Sequence, residues 1–241
     1  DKTSSALVSL TINPVNDAPV IDIASTISVD ENQTSVTTVS VSDPDEDDLT
    51  LSVGGTDATS FNLSSDNILT FKEAPDYEAK NAYSISLSLT DGAETVTKSL
   101  TINITNVNDN SPVITSDATF TAAENQIAIG TLTAADSDGD VVAFTISGTE
   151  LAITSAGVLT FVTSPDYENK SSYTATTTAT DGLYAVTQDI TVNVTNVNDN
   201  SPVITSDATF TAAENQTAIG TVIATDADGD NISYSISGNE I

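Results

Sequence analysis

Apolar and polar side chains alternate along most of this chain. Ala6, Val8, Leu10 and Ile12 take every second position, as do Tyr83, Ile85, Leu87 and Leu89, then Leu100, Ile102 and Ile104, and later Ile190, Val192 and Val194. A period of two puts such residues on one face of an extended strand, so each run predicts a β-strand with one buried side. The pattern predicts strands near 23–29 and at 35–41, 49–53, 60–63, 68–71, 83–90 and 95–105. It predicts them again at 129–135, 142–146, 151–153, 158–162, 173–180 and 185–195. Gly54-Gly55, Ser65-Asp66-Asn67 and Asp91-Gly92 supply turn chemistry between them. Short strands at this spacing predict an all-β, seven-stranded antiparallel Greek-key sandwich of the immunoglobulin-like kind.

The pattern also recurs. The segment 106–126, NVNDNSPVITSDATFTAAENQ, returns unchanged at 196–216, an offset of 90 residues, and a weaker copy, PVNDAPVIDIASTISVDENQ, runs from 14 to 33. A period of this size means a tandem array. The expected organisation is a last strand of an upstream repeat plus linker over 1–17, repeats over 18–110 and 111–200, and the opening strands of a further repeat over 201–241. The sixth strand of the second repeat, YTATTTAT, carries smaller apolar groups than its counterpart YSISLSLT, which predicts less apolar burial and weaker stabilisation there.

Composition narrows the chemistry. The 241 residues include 35 acids and 5 basic residues, all lysine, for a formal charge of −30. Nucleic acid is excluded as a partner, because phosphate neutralisation needs a basic face. No apolar run reaches membrane-spanning length, so no membrane insertion is expected. Histidine, cysteine, methionine and tryptophan are absent. That removes the usual zinc and iron ligands and most nucleophile–base pairs. Carboxylate, amide and carbonyl oxygens remain, the ligands of calcium and magnesium.

About half of the 35 acids hold fixed places in the repeat. Glu31, Glu124 and Glu214 each precede Asn; Asp43/Asp45, Asp136/Asp138 and Asp226/Asp228 form pairs; Asp76/Glu78 and Asp166/Glu168 flank Tyr; Asp91 and Asp181 precede Gly. Acids in β loops are usually solvated turn formers. Recurrence of the whole set in one order argues for more. Residues i and i+2 of an extended segment point the same way, so each pair presents two oxygens to one side. Clustered carboxylates repel unless neutralised, and calcium takes six to eight oxygen ligands. The runs DSDGD and DADGD open like an EF-hand loop, but its sixth position would be Val141 or Asn231 and its twelfth Ser147 or Ser237, so that match fails.

NVNDNSP resembles the inter-repeat signature of cadherins, and AEN, DSD/DAD, PDYE and the Asp before Gly resemble that family's other calcium motifs. PVNDAPV is similar to the variant found in bacterial cadherin-like repeats. The resemblance implies several calcium ions at junctions between repeats. For the middle junction it implies Glu31, Asp76, Glu78, Asn106, Asn108 and Asp109 from one side, Asp136, Asp138 and Asp181 from the other, and the backbone carbonyls of Val107 and Asn110. For the last junction it implies Glu124, Asp166, Glu168, Asn196, Asn198, Asp199, Asn200, Asp226 and Asp228. For the first it implies Asn16, Asp17, Asp43, Asp45 and Asp91. Asn106 and Asn196 stand where the family usually has Asp, and Pro14 supplies no side-chain ligand.

The function expected from this resemblance is a calcium-rigidified extracellular spacer or adhesion segment of a large bacterial surface protein, not an enzyme. A second reading is a repeat that itself binds a cell-surface protein, a glycan or a like molecule. A third is an accessory module of a secreted polysaccharide-acting enzyme. A catalytic carboxylate pair needs a cleft, and an active site has no reason to recur every 90 residues.

Overall fold

The computed structural model describes all residues except Lys2, Ile12, Pro14 and 239–241. The chain divides into two compact units, residues 1–108 and 109–241. Their regular elements are almost all strands.

In the first unit the strands are β1 (Val20–Asp22), β2 (Thr26–Asp30), β3 (Ser35–Thr38), β4 (Ser40–Ser42), β5 (Thr50–Gly54), β6 (Phe61–Leu63), β7 (Ile68–Phe71), β8 (Ala82–Thr90) and β9 (Thr95–Thr105), with one 3₁₀ turn at Ala58–Ser60. One sheet runs β2-β9-β8-β5, the facing sheet β3-β7-β6, and β1 pairs with β4. Inward-pointing Leu69, Ile85, Leu87, Leu89, Leu100 and Ile102 are sealed from solvent between the sheets. Phe61, Phe71 and Tyr83 pack against one another, Tyr83 edge-on to both phenylalanines. Apart from Ala82, the outward positions of β8 and β9 are Ser, Thr and Asn, the alternation expected of a sheet with one wet face.

The second unit repeats the plan with β10 (Val113–Ile114), β11 (Thr119–Ala123), β12 (Ala128–Thr131), β13 (Ala134–Ala135), β14 (Ala143–Ile146), β15 (Leu151–Ile153), β16 (Val158–Phe161), β17 (Ser172–Thr180) and β18 (Ala185–Thr195). Its sheets are β11-β18-β17-β14 and β12-β16-β15, with β10 paired to β13. Later in the same unit, β19 (Val203–Ile204) pairs with β20 (Ala224–Thr225).

Three features depart from the expected strands. The opening strand is split: β1 runs antiparallel to β4, whereas β2 crosses to the other sheet and lies parallel to β9, with Ile27 beside Ile102. β11 and β18 repeat this parallel pairing. The sandwich is therefore not wholly antiparallel. Alternation is satisfied equally by either sheet and either direction, so it cannot reveal the crossing. Likewise the run 35–41 divides into β3 and β4, where Val39 turns into the core and donates its N–H to Asn67 O at 2.9 Å. The alternating stretch 6–11 forms no strand, and Leu7, Val8 and Leu10 are exposed; Ile12 lies outside the described residues. A strand needs a neighbour for its backbone groups, and no described strand pairs with this one.

The poorer sixth strand behaves as its composition predicts. Where β8 buries Ile85, Leu87 and Leu89, β17 offers Ala175, Thr177 and Ala179, and Thr177 Oγ1 donates to Gln188 O at 3.0 Å. Part of the lost volume returns from the next strand. Leu51 lies opposite Leu89 in the first sandwich, and Phe144 lies opposite Ala179 in the second. A large–small pair replaces two medium ones, the kind of swap that packing tolerates.

The hairpin before β7 or β16 turns on a residue with positive φ, Asn67 at 59° and Gly157 at 87°. A Cβ on Gly157 would lie 2.2 Å from Leu132 O. Beside the Pro-Asp-Tyr-Glu loop, Lys80 pairs with Asp57 at 2.5 Å and caps the Tyr83 ring, while Asp57 also accepts Ser84 N–H at 2.8 Å. The Lys80 hydrogen bond, then the Ser84 amide, holds the Asp57 carboxyl below its ordinary range.

Thermal unfolding tests this packing. Leu87→Ala costs roughly 2–5 kcal/mol. Thr177→Ala costs about 1–2 kcal/mol, because less apolar volume is lost. Asp57→Asn costs at most about 1 kcal/mol at neutral pH. Because the folded state lowers that pKa, wild type keeps its advantage over the Asn variant above the ordinary carboxyl range and loses it as pH falls through the folded value.

Candidate metal centre

In the second unit β11 ends at Ala123 and the next two residues turn sharply. Asn125 takes φ of 64°, a left-handed conformation that Asn tolerates better than most residues. This turn drives Glu124 inward until only 3% of it is exposed. Its backbone N–H reaches Thr195 O at 3.2 Å, and the Asn125 N–H reaches Pro165 O at 3.0 Å. The carboxylate closes the same two joins. Oε1 accepts Val197 N–H and Oε2 accepts Tyr167 N–H, both at 2.7 Å. One buried glutamate thereby ties the Asn-Val-Asn-Asp linker and the Pro-Asp-Tyr-Glu loop to the end of β11.

That clamp gathers the acids. Carboxylate oxygens of Glu124, Glu168, Asp199 and Asp228 lie within 4.8 Å of one another. Asp228 accepts the N–H groups of Asp199 and Asn200 at 3.1 and 2.8 Å, and the Asn200 amide at 3.0 Å. The Asn200 amide also contacts Glu168 at 3.3 Å, and Asn125 Nδ2 donates to Asp199 at 2.5 Å. Asn196 donates its amide to Asp228 O at 2.8 Å, and Asn198 donates to Asp230. Asp166 stands apart from the four, spending Oδ1 on Asn169 N–H at 3.1 Å. Asp226 accepts Asp228 N–H at 3.0 Å. Earlier in this unit Asp138 binds the N–H groups of Asp109 and Asn110 at 3.1 and 2.9 Å, and Asp136 Oδ1 accepts Asp138 N–H at 3.0 Å. Asp181 accepts Leu183 and Tyr184 N–H, each at 2.7 Å.

The first unit builds the same parts from its own copy. Glu31, 2% exposed and followed by Asn32 at φ 63°, accepts Tyr77 and Val107 N–H, each at 2.8 Å. Asp76 spends Oδ1 on Ala79 N–H, as Asp166 does in its turn, and Glu78, Asn106 and Val107 are exposed. Asn108 is half-buried, with Oδ1 shut from solvent. Asp17 N–H meets Asp45 at 2.6 Å, Asn16 meets Asp91 at 3.0 Å, and Asp43 Oδ1 accepts Asp45 N–H at 2.8 Å. Glu214, the third glutamate of the set, is exposed, and Pro14 is outside the described residues.

Several known proteins are similar to this chain. A family model described as a bacterial Ig domain matches residues 16–105. Protocadherin Fat 4 of Mus musculus is 31% identical over 201 residues, covering 73% of this chain and 4% of that protein. The protocadherin-like wing polarity protein stan of Drosophila melanogaster is 31% identical over 237 residues, covering 85% of this chain and 7% of its own length. Among solved structures, protocadherin gammaB7 EC3-6 aligns with a TM-score of 0.70 at 25% identity, over 88% of this chain and 62% of that one. Mouse cadherin-23 EC22-24 gives 0.69 at 21% identity, over 88% and 78%. The chain is made of cadherin-like tandem repeats. It spans only a small fraction of the curated relatives it matches.

Cadherin-like repeats imply calcium, and the residues present fit it. Every donor gathered near Glu124 is an oxygen or an amide of Asn, with no nitrogen or sulfur ligand available. The ion pairs of Lys80 and Lys170 go to Asp57 and Glu150, not to these acids. Oδ2 of Asp43 and of Asp136 is closed from solvent with no hydrogen-bond partner among the described residues, as is Asn108 Oδ1. Desolvation, then the charges of Glu124 and Asp228, pushes the Glu168 carboxyl above its ordinary range. The Asn200 amide pulls Asp228 below its own. Asp91 is lowered by the Glu94 N–H and next by Asn16.

Four residues here were not singled out by sequence reasoning. Asp47, Asp140 and Asp230 join the aspartate pairs that precede them, and Asn125 reaches Asp199. The signal was a third Asp at i+4, hidden by attention to i and i+2. Desolvation, then Asp43, Asp45 and Asp91, raises the Asp47 carboxyl.

Glu124→Ala in chelator tests the clamp apart from any ion. It leaves two backbone donors without their acceptor and costs roughly 2–4 kcal/mol by thermal unfolding. Glu168→Ala, which removes a carboxylate and no clamp, leaves stability in chelator unchanged or higher.

Proposed function

We propose that this chain is a calcium-stiffened spacer and adhesion segment of a bacterial cell-surface protein, working outside the cell and not as an enzyme. The observation that carries the reading is the set Glu124, Glu168, Asp199 and Asp228, four carboxylates within 4.8 Å on a linker and on the elements it joins. With Asp166, Asn196, Asn198, Asn200 and Asp226 they form the proposed calcium shell of the 196–200 linker. The same residue types are proposed as ligands elsewhere: Glu31, Asp76, Glu78, Asn106, Val107 and Asn108 in the first unit, Asp109, Asn110, Asp136, Asp138 and Asp181 in the second, and Asn16, Asp17, Asp43, Asp45 and Asp91 around the first linker.

Bound calcium supplies positive charge where these carboxylates otherwise repel. The chain's own residues do the rest. Glu31 and Glu124 hold each linker's start against its sandwich, while Asp138 and Asp228 hold the N–H groups that follow. No helix among the described residues is long and apolar enough to cross a membrane. The bacterial assignment draws support from the family model over 16–105, and the extracellular one from cadherin relatives. Direct binding of a surface protein, glycan or like molecule is the second reading, and the exposed hydroxyl face of β17 and β18 is where it would act.

Titrating calcium into the whole chain, from chelator to several millimolar, tests the proposal by unfolding and small-angle scattering. Extracellular calcium modules bind at about 10⁻⁴–10⁻³ M. At tenfold over Kd each independent site adds roughly 1.4 kcal/mol, raising Tm by several degrees and narrowing the spread of dimensions. Affinity falls with pH because protons compete for the carboxylates, with Glu168 affected first because its pKa is raised. Indifference of Tm and dimensions to calcium overturns the reading.

A further inference from the structure

We infer that the side-chain amides of Asn110 and Asn200 are resident stand-ins for a cation. Each seats its linker on the acidic loop that follows when calcium is absent, and gives up the same oxygens when calcium binds. The inference rests on the calcium reading above and adds to it a calcium-free state held by named donors.

The linkers 106–110 and 196–200 are identical in sequence and close in the same way. Asn110 Nδ2 donates to Asp109 Oδ1 at 2.7 Å and to Asp138 Oδ1 at 2.8 Å. The other oxygen of Asp138 takes the backbone N–H groups of Asp109 and Asn110 at 3.1 and 2.9 Å. Asn200 Nδ2 donates to Asp199 Oδ1 at 2.7 Å and to Asp228 Oδ1 at 3.0 Å. Asp228 Oδ2 then takes the N–H groups of Asp199 and Asn200 at 3.1 and 2.8 Å. The same Nδ2 lies 3.3 Å from Glu168 Oε2. Three of the four carboxylates gathered near Glu124 thus face one NH₂ group.

A primary amide is neutral, yet its nitrogen offers two hydrogens as donors. Set among carboxylates, it eases a repulsion that no ammonium of the ion pairs eases, because Lys80 and Lys170 go to Asp57 and Glu150. The chain has no arginine or histidine to do it either. Hydrogen bonds to an ionised acceptor are roughly twice as strong as neutral ones, so each amide seats its linker firmly. The carboxylates it holds, Asp109 with Asp138 and Asp199 with Asp228, are ones proposed above as calcium ligands. Amide and ion therefore compete for the same oxygens. The first linker is built without this part. Ala18, which is exposed, stands in the place of Asn110, while Asp17 N–H meets Asp45 and Asn16 turns to Asp91.

Hydrogen exchange on the whole chain, in chelator and in saturating calcium, tests this at the amides of residues 109–110 and 199–200. Asn110→Asp/Asn200→Asp keeps the shape, removes the donor and adds a carboxylate. Asn110→Ala/Asn200→Ala removes the donor and adds no charge. In chelator both variants are expected to exchange about tenfold faster or more at these amides, the scale set by hydrogen bonds to charged groups. Saturating calcium returns the Asp variant to the wild-type rate, because the ion then does the work of the amide. The control, Asn62→Ala/Asn193→Ala, changes exposed positions on β6 and β18 and leaves the linker amides as they were. Exchange in β8 and β17 checks that the sandwiches stay folded. Should a double variant not fold, Asn110→Ala alone decides in chelator. Wild-type exchange in the Ala variant overturns the inference, even if the Asp variant exchanges faster, since that effect is added repulsion. Faster exchange of the Asp variant in calcium as much as in chelator also overturns it and makes the asparagines plain staples. In both cases the calcium reading stands if the wild-type Tm rises with calcium. A wild type whose Tm and exchange ignore calcium overturns the calcium reading and the stand-in role together.

Discussion

Two backbone N–H groups close on one buried glutamate in each sandwich, and the acidic architecture hangs on that contact. Glu31 and Glu124 are the only charged residues that are buried among the described residues. A buried carboxylate is tenable only when its oxygens are satisfied, and the donors come from two different segments: Tyr77 with Val107, Tyr167 with Val197. The chain must therefore bring the linker and the Pro-Asp-Tyr-Glu loop to the same place before the glutamate can be buried. Once there, Glu168, Asp199 and Asp228 stand beside Glu124 without any side chain having been buried for their sake.

The charge distribution follows from the same division of labour. The formal charge of −30 is carried mostly at loops and linkers, while the outward faces of β8, β9, β17 and β18 are largely hydroxyl and amide, with Asp189 an exception on β18. Repulsion is thus concentrated where a cation can relieve it and kept away from the strands. The sandwiches depend on apolar packing, such as Leu69 and Leu87 in one and Leu159 and Val192 in the other.

How far the sequence could be read depended on which physics left a trace in it. The buried faces of β8 and β9 were legible because Ile85, Leu87, Leu100 and Ile102 alternate without a break. The crossing of β2 to the far sheet was not, since Ile27 satisfies the same alternation whether it pairs parallel to Ile102 or antiparallel elsewhere. The placing of Glu124 beside Glu168, Asp199 and Asp228 follows residues that stood out by recurrence. Asp140 escaped because its approach to Asp136 depends on a left-handed Gly139, and that bend is invisible to reasoning from extended geometry. Asn125 escaped for the opposite reason. Its left-handed backbone reads as turn chemistry alone, yet its side chain also reaches Asp199. The weak sixth strand was legible in YTATTTAT, but its compensation by Phe144 was not, because only the register puts Phe144 against Ala179.

That last exchange bears on how a chain of near-copies avoids folding into the wrong copy. Linker and opening strand are identical at 106–126 and 196–216, so these segments cannot tell one repeat from the next. Neighbouring repeats with like sequences are prone to trade strands. Between the two complete sandwiches, the interior adds discrimination. A strand carrying Leu51 set against Ala179 leaves a void, and one carrying Phe144 set against Leu89 overfills the layer. The two complete sandwiches, whose opening segments at 14–33 and 106–126 are only partial copies, thus also hold interiors that do not exchange without loss.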